Sequence, residues 1–349
     1  MHKMQNLFIA LLVSFSGVVP LHAAGSFDVY LGASRDGPGG VQMYGYFKNG
    51  VWHDYKPKPG HTVASVNDFR IHEGKIYALV AIWDKAQNYQ YGYWEDQVWH
   101  VLPAPPGHKI TRIHKINFNG SDLYVTGRVN KNNQEITGYW KNGSWNVVPA
   151  PYPNTSFDDI FFDQADVILT AVHYDEKTGM LVPHYRKNGK WQDVQIPPNK
   201  RLSIKQSHWF RGDIYQAGEI RSPHDLNDRK AAYWKNGVLQ WQGTQYTEVT
   251  SFVVDDGGIY IGGWDSNYHP GYWKDGQWVA LPILGHNGVS SANSMYKIGG
   301  TLFVGGFNAG RDSTTTYPGY WTNKKWTLLK HPKNNDNMRV LFVGAVKRP

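Results

Sequence analysis

One hairpin recurs seven times along this chain: a Tyr, a Trp six residues later, and in most copies a Lys-Asn-Gly turn between them. The anchor tyrosines are Tyr46, Tyr93, Tyr139, Tyr185, Tyr233, Tyr272 and Tyr320, spaced 47, 46, 46, 48, 39 and 48 residues apart. Their partners are Trp52, Trp99, Trp145, Trp191, Trp278 and Trp326; the fifth copy has Leu239 there and Trp241 just beyond. A period in the forties that resolves into several strands per unit is the signature of a β-propeller blade.

The second copy shows the unit most clearly. Val63 to Ile71, Lys75 to Trp83, Tyr89 to Trp94 and Val98 to Leu102 read as strands A, B, C and D between turn signals. The C–D turns carry Lys48-Asn49-Gly50, Lys141-Asn142-Gly143, Lys187-Asn188-Gly189 and Lys235-Asn236-Gly237, with Lys274-Asp275-Gly276 as a variant. Asn-Gly and Asp-Gly supply the positive φ of a two-residue type I′ hairpin. Strand B carries an apolar-aromatic pair, as in Ile76-Tyr77 and Ile259-Tyr260, followed by small residues such as Thr126-Gly127 and Gly262-Gly263. Small residues there let neighbouring blades approach closely, so most of the Tyr and Trp ladder reads as packing between blades.

The first strand, Phe27 to Ala33, is of type B and has no A strand before it, whereas a spare apolar run, Met338 to Val346, follows the last hairpin. The last strand should supply the missing one and close the ring without an open edge. The expectation is an all-β fold over residues 25–349: a seven-bladed β-propeller with four antiparallel strands per blade, the C-terminal strand joining the N-terminal blade. The 39-residue step from Tyr233 to Tyr272 reads as trimmed loops, since Glu248 to Val254 and Gly258 to Gly263 still form A and B.

Ahead of this lie Lys3, an apolar run from Leu7 to Val19, and Ala23 and Ala24. Together they match a signal peptide over residues 1–24, too short to span a membrane. The chain has no Cys, which excludes disulfides, thiol catalysis and cysteine metal sites. An exported protein of a Gram-negative periplasm or the medium fits, with no integral membrane contact. The net charge of +8 suits an anionic partner or plain solubility, and no Lys/Arg run points to nucleic acid.

Gly-Gly after an apolar B strand, then Tyr and Trp six apart, then Leu-Pro, as in Ile259 to Gly263, Tyr272, Trp278 and Leu281-Pro282, resembles a kelch repeat. The Trp directly after Tyr, at Trp94, Trp140, Trp273 and Trp321, departs from that pattern. The resemblance implies a propeller of a group that includes binding platforms, sugar-processing enzymes and copper-radical galactose oxidases. It does not extend to the oxidases, whose cofactor requires a cysteine cross-linked to tyrosine.

In such a ring the tight A–B and C–D turns share one face, and the longer D–A and B–C loops share the other, where function is expected. That face offers Arg35, Trp83, Arg128, His173, Arg221, Trp264 and Asp265, with Tyr174 and Arg311 nearby, as a basic and aromatic surface for an anionic or glycan ligand. His61, His108, His286 and His331 occupy matching D–A loops, but lack the short spacing of a metal site and are read as capping or packing groups beside Pro. Counting back from each B strand sets a polar ring in the channel: Asp68, His114, Asp158, Lys205 and Asn293.

These residues lead to an exported, monomeric binding propeller that engages a protein or glycan through its long-loop face, with no cofactor and no metal. The alternative is a carbohydrate-active or small-molecule enzyme at the channel mouth, where two carboxylates, or a His and a carboxylate, would have to converge. Catalytic residues are not identifiable from the sequence.

Overall fold

The computed structural model describes residues 26–37, 42–225, 228–283, 290–309, 316–330 and 338–348. Residues 1–24, His286, Arg311 and His331 lie outside them. Seven four-stranded antiparallel sheets follow one another, and no helix occurs among the described residues. Six of the sheets are meanders of consecutive strands, as in blade 2: A His61–His72, B Lys75–Asp84, C Tyr89–Glu95 and D Val98–Val101. The seven A strands pack against one another around the centre.

Blade 1 is completed from both ends of the chain. Its B strand, Phe27–Asp36, pairs with Gln42–Lys48 on one side and with the C-terminal strand Met338–Lys347 on the other. The C–D hairpins turn as their sequence requires, with Asn49 and Gly50 at φ of 51° and 83° and Asn142 and Gly143 at 47° and 81°. The short step into blade 6 is a trimmed D–A connection. Strand D of blade 5 runs from Val238 to Tyr246 and strand A of blade 6 begins at Glu248.

The seams between blades are built from the hairpin. The Trp after each Tyr is buried at Trp94, Trp140, Trp234 and Trp321. The D-strand Trp tilts against it, with centroids 4.4 Å apart at Trp140–Trp145 and 4.3 Å at Trp321–Trp326. Trp140, Trp234 and Trp321 donate their indole N–H to the carbonyls of Pro103, Gln195 and Pro282, each at the exit of the preceding blade. The Gly before Tyr in blades 1, 2, 3, 6 and 7 makes room for this: a Cβ on Gly138 would lie 2.8 Å from the Trp145 ring and clash with the Asn146 carbonyl.

Blade 4 breaks this pattern. His184-Tyr185-Arg186 stands where blades 2, 3, 6 and 7 have Gly-Tyr-Trp. Its D-strand Trp191 takes over the seam bond, donating to the Pro149 carbonyl at 3.0 Å. The glycine slot is therefore free to hold an imidazole.

Every inner strand also carries a bulge. In blades 2 and 4 to 7 the ladder skips Asn67, Asp158, Lys205, Thr250 and Asn293, and in blade 3 it skips His114 and Lys115. A bulge leaves its residue out of the pairing and re-aims the side chain. Several use that freedom to tie the next blade: Asn67 donates to Ile113 O (2.7 Å), Asn293 to Val340 O (2.8 Å) and Thr250 to Ala292 O (2.5 Å). Asn67, Thr250 and Asn293 are thus part of the ring's frame.

Candidate functional site

Three places on the ring gather chemistry. The first lies on the long-loop face where blades 2 and 3 meet. Trp83 at the end of strand B tilts against Tyr89 at 5.7 Å, and Tyr89, half exposed, stacks near Tyr91 at 6.1 Å. Tyr91 crosses the seam, donating to the Thr111 carbonyl at 3.1 Å. Directly beyond, Arg112 and Arg128 face each other in the strand register. Like charges opposed across a ladder are unfavourable, and nearby Glu135 offsets only part of this, at 3.9 Å from Arg128 Nε. The Arg128 Nε–H is buried without a hydrogen bond. Burial, together with Arg112, holds the Arg128 guanidinium below its usual pKa against the pull of Glu135. Trp83 and Arg128, read separately from the sequence, thus belong to one patch; Tyr89, Tyr91 and Arg112 complete it.

The second place is the altered blade 4. Asp193 on strand D accepts from His184 Nδ1 at 2.8 Å, and His184 Nε2 meets His173 Nδ1 at 2.7 Å. Tyr152, from the loop after blade 3, stacks on His173 at 4.3 Å and tilts over His184 at 4.9 Å. Burial holds His184 below the usual histidine pKa, although Asp193 pulls the other way.

The third is the channel. Asp68 accepts from the Ile116 amide at 3.2 Å and from Lys115 Nζ at 3.3 Å. Arg70 reaches across from blade 2 to blade 4, 3.4 Å from Asp68 and 3.6 Å from Asp159. Desolvation, with the charge of Asp159, pushes the Asp158 carboxyl up to about 7. Asp159 is also raised by desolvation, which Arg70 and Lys115 oppose. His114 lies 3.1 Å from Ser156 Oγ, and burial beside Arg128 and Arg112 lowers its pKa to about 3. Lys205 lies 3.8 Å from the buried Glu219.

The remaining candidates are occupied by the fold. Arg35 is 4% exposed and pairs with Asp54 at 3.3 Å. Arg221 is held by Glu219, which also accepts from the Val249 amide of blade 6 at 3.0 Å. Asp265 caps its own loop, accepting from the Asn267 and His269 amides. Trp264 sits between Glu248 and Pro270 in the register of blade 6. His61 and His108 contact the carbonyls of Pro59 and Pro106 at 3.3 and 2.8 Å. Among the described residues no group of three or more His, Asp or Glu is arranged to hold a metal ion. Nor is any helix there long and apolar enough to cross a membrane.

No protein-family model matches the sequence, and no curated protein does. Solved structures share the fold. A Mycobacterium tuberculosis puromycin-hydrolyzing peptidase superposes with a TM-score of 0.51 at 9% identity, over 80% of this chain and 48% of its own. The Pyrococcus horikoshii acylaminoacyl peptidase gives 0.50 at 12% identity, over 77% and 46%. The Dos1 propeller gives 0.43 at 12% identity, over 90% of each chain. The chain spans about half the length of the two peptidases. At such identities the likeness is one of fold.

Proposed function

We propose that this is an exported, monomeric, kelch-type propeller that binds an acidic glycan across the seam of blades 2 and 3. The observation that carries this reading is the opposed pair Arg112 and Arg128 beside the exposed Tyr89–Trp83 rings. A carboxylate or sulfate between the guanidinium groups would relieve their repulsion and satisfy the orphaned Arg128 N–H. The aromatic faces would hold the C–H surface of a sugar ring. The reading is tested by calorimetry with uronic-acid and neutral oligosaccharides at low and moderate salt. Saturable binding of the acidic sugar that survives moderate salt and is lost in Arg128→Ala supports it. Equal affinity for both sugars, or an affinity unchanged by Arg128→Ala, overturns it.

The raised carboxyl of Asp158 favours one second reading, a small-molecule or carbohydrate-active site in the channel. Glycoside chemistry needs two carboxyl groups on opposite sides of a bond. Asp158 and Asp159 are instead consecutive residues of one strand, and Asp159 already faces Arg70. Turnover of a glycan abolished by Asp158→Asn would favour this reading over simple binding.

A further inference from the structure

We propose that blade 4 carries a hydrolytic site in which His173 Nε2 is the general base, positioned by His184 and Asp193, for water attack on a carboxylic ester. The inference goes beyond glycan capture and concerns a different seam of the ring. It starts from the hairpin that puts a His in the slot before its anchor Tyr. In blades 1, 2, 3, 6 and 7 a glycine fills this slot, and a Cβ there would meet the D-strand Trp ring and a backbone carbonyl. Blade 4 puts His184 in the slot and re-aims Trp191 onto Pro149, so the space is held by a bonded chain of three polar groups instead.

The chain fixes the protons. The Asp193 carboxylate can only accept, so His184 Nδ1 carries a hydrogen. A neutral His184 then has its lone pair on Nε2, which must receive the hydrogen of His173 Nδ1. His173 is left with its lone pair on Nε2, the atom outside the chain. The Tyr152 ring stacked at 4.3 Å fixes the plane of that imidazole. A carboxylate behind an imidazole that holds its tautomer and raises its basicity is the arrangement that proton abstraction requires.

In the reaction His173 Nε2 removes a proton from water as the water oxygen bonds to the ester carbonyl carbon. Collapse of the tetrahedral adduct breaks the acyl C–O bond, and the departing alkoxide takes the proton back from His173. Products are a carboxylic acid and an alcohol, and nothing is oxidised or reduced. Asp175, on the same strand as His173 and within reach of its charge, is engaged by Thr178 Oγ1 at 2.7 Å.

The test is hydrolysis of p-nitrophenyl acetate by the intact protein, followed against pH beside free imidazole at the same concentration. A general base contributes about 10²–10⁴-fold. His173→Gln is therefore expected to remove at least about tenfold of the rate. Asp193 is mostly exposed, so Asp193→Asn keeps the fold, and it should lower the rate and move the pH–rate limb to lower pH; a packing role would leave that limb in place. Wild-type rates no faster than free imidazole overturn the proposal, as does an unchanged rate in His173→Gln. An unmoved limb in Asp193→Asn overturns the positioning role. The probe is a small ester, so failure of glycan binding at blades 2 and 3 leaves the result readable.

Discussion

Trp191 donates to the Pro149 carbonyl at 3.0 Å, the bond that Trp140, Trp234 and Trp321 make from a position five residues earlier in their own repeats. The seam bond is kept although the residue that makes it has changed. Four seams thus carry an indole N–H on the exit carbonyl of the preceding blade, which gives that carbonyl a partner.

Replacing Trp140 with Phe keeps most of the ring and deletes the bond to Pro103. The expected loss is about 1 kcal/mol, rising to about 3–5 kcal/mol for Trp140→Ala, in which the seam also loses the ring. Urea unfolding of both variants measures the difference, and equal losses would assign the whole effect to packing.

Gly138→Ala places a methyl against the Trp145 ring and the Asn146 carbonyl. The backbone must shift, and a cost of about 1–3 kcal/mol follows. Blade 5 already carries Ala232 in this slot, and has Leu239 instead of Trp across from Trp234. Pairing Gly138→Ala with Trp145→Leu should therefore recover part of the loss, a coupling read from a double-mutant cycle.

Asp158 is the bulge residue of a strand whose counterparts Asn67 and Asn293 donate to the next blade. An ionised carboxylate has no hydrogen to give. Its folded pKa, about 7, lies above the ordinary 3.8, so the folded state binds the extra proton between these values and stability falls as pH rises through 7. Asp158→Asn should raise the melting temperature at pH 8, by the equivalent of up to about 4 kcal/mol, and change little at pH 4. Calorimetric scans at the two pH values decide it.

His208 has the opposite sign. Desolvation, reinforced by Arg70, lowers its pKa to about 4, while its ring contacts the Phe252 carbonyl at 2.8 Å. The unfolded chain then takes up a proton that the folded one refuses between pH 6.5 and 4, so stability declines on acidification across that window, by up to about 3 kcal/mol. A flatter acid limb in His208→Gln is the expected outcome. An unaltered limb would move the acid sensitivity to His114.

The turns and the seams were legible in the sequence because each rests on a local demand: positive φ at Asn49-Gly50, or a missing Cβ beside a Trp. The polar ring could be counted from strand B because the ladder is regular up to the bulge. The bulge itself was not legible, and with it the fact that Asn293 spends its amide on Val340. Trp83 and Arg128 were found one by one, but their meeting depends on how blade 2 lies against blade 3. The relay was missed because His173, His184 and Asp193 come from three different strands. One signal was present, the His-Tyr-Arg at residues 184–186 against Gly-Tyr-Trp in blades 2, 3, 6 and 7.

Arg348 and Asp28, held at 2.7 Å, stand 320 residues apart in the chain. The strand beside them, Phe27–Asp36, is among the first of the described residues to be made, and its partner Met338–Lys347 among the last. During synthesis the first blade waits with a bare edge while the other six are laid down in order. Closing so large a loop carries an entropic cost that grows only slowly with its length, but no part of the closing pairing can form early. A chain cut short by ten residues would therefore lose the joint that turns a row of blades into a ring.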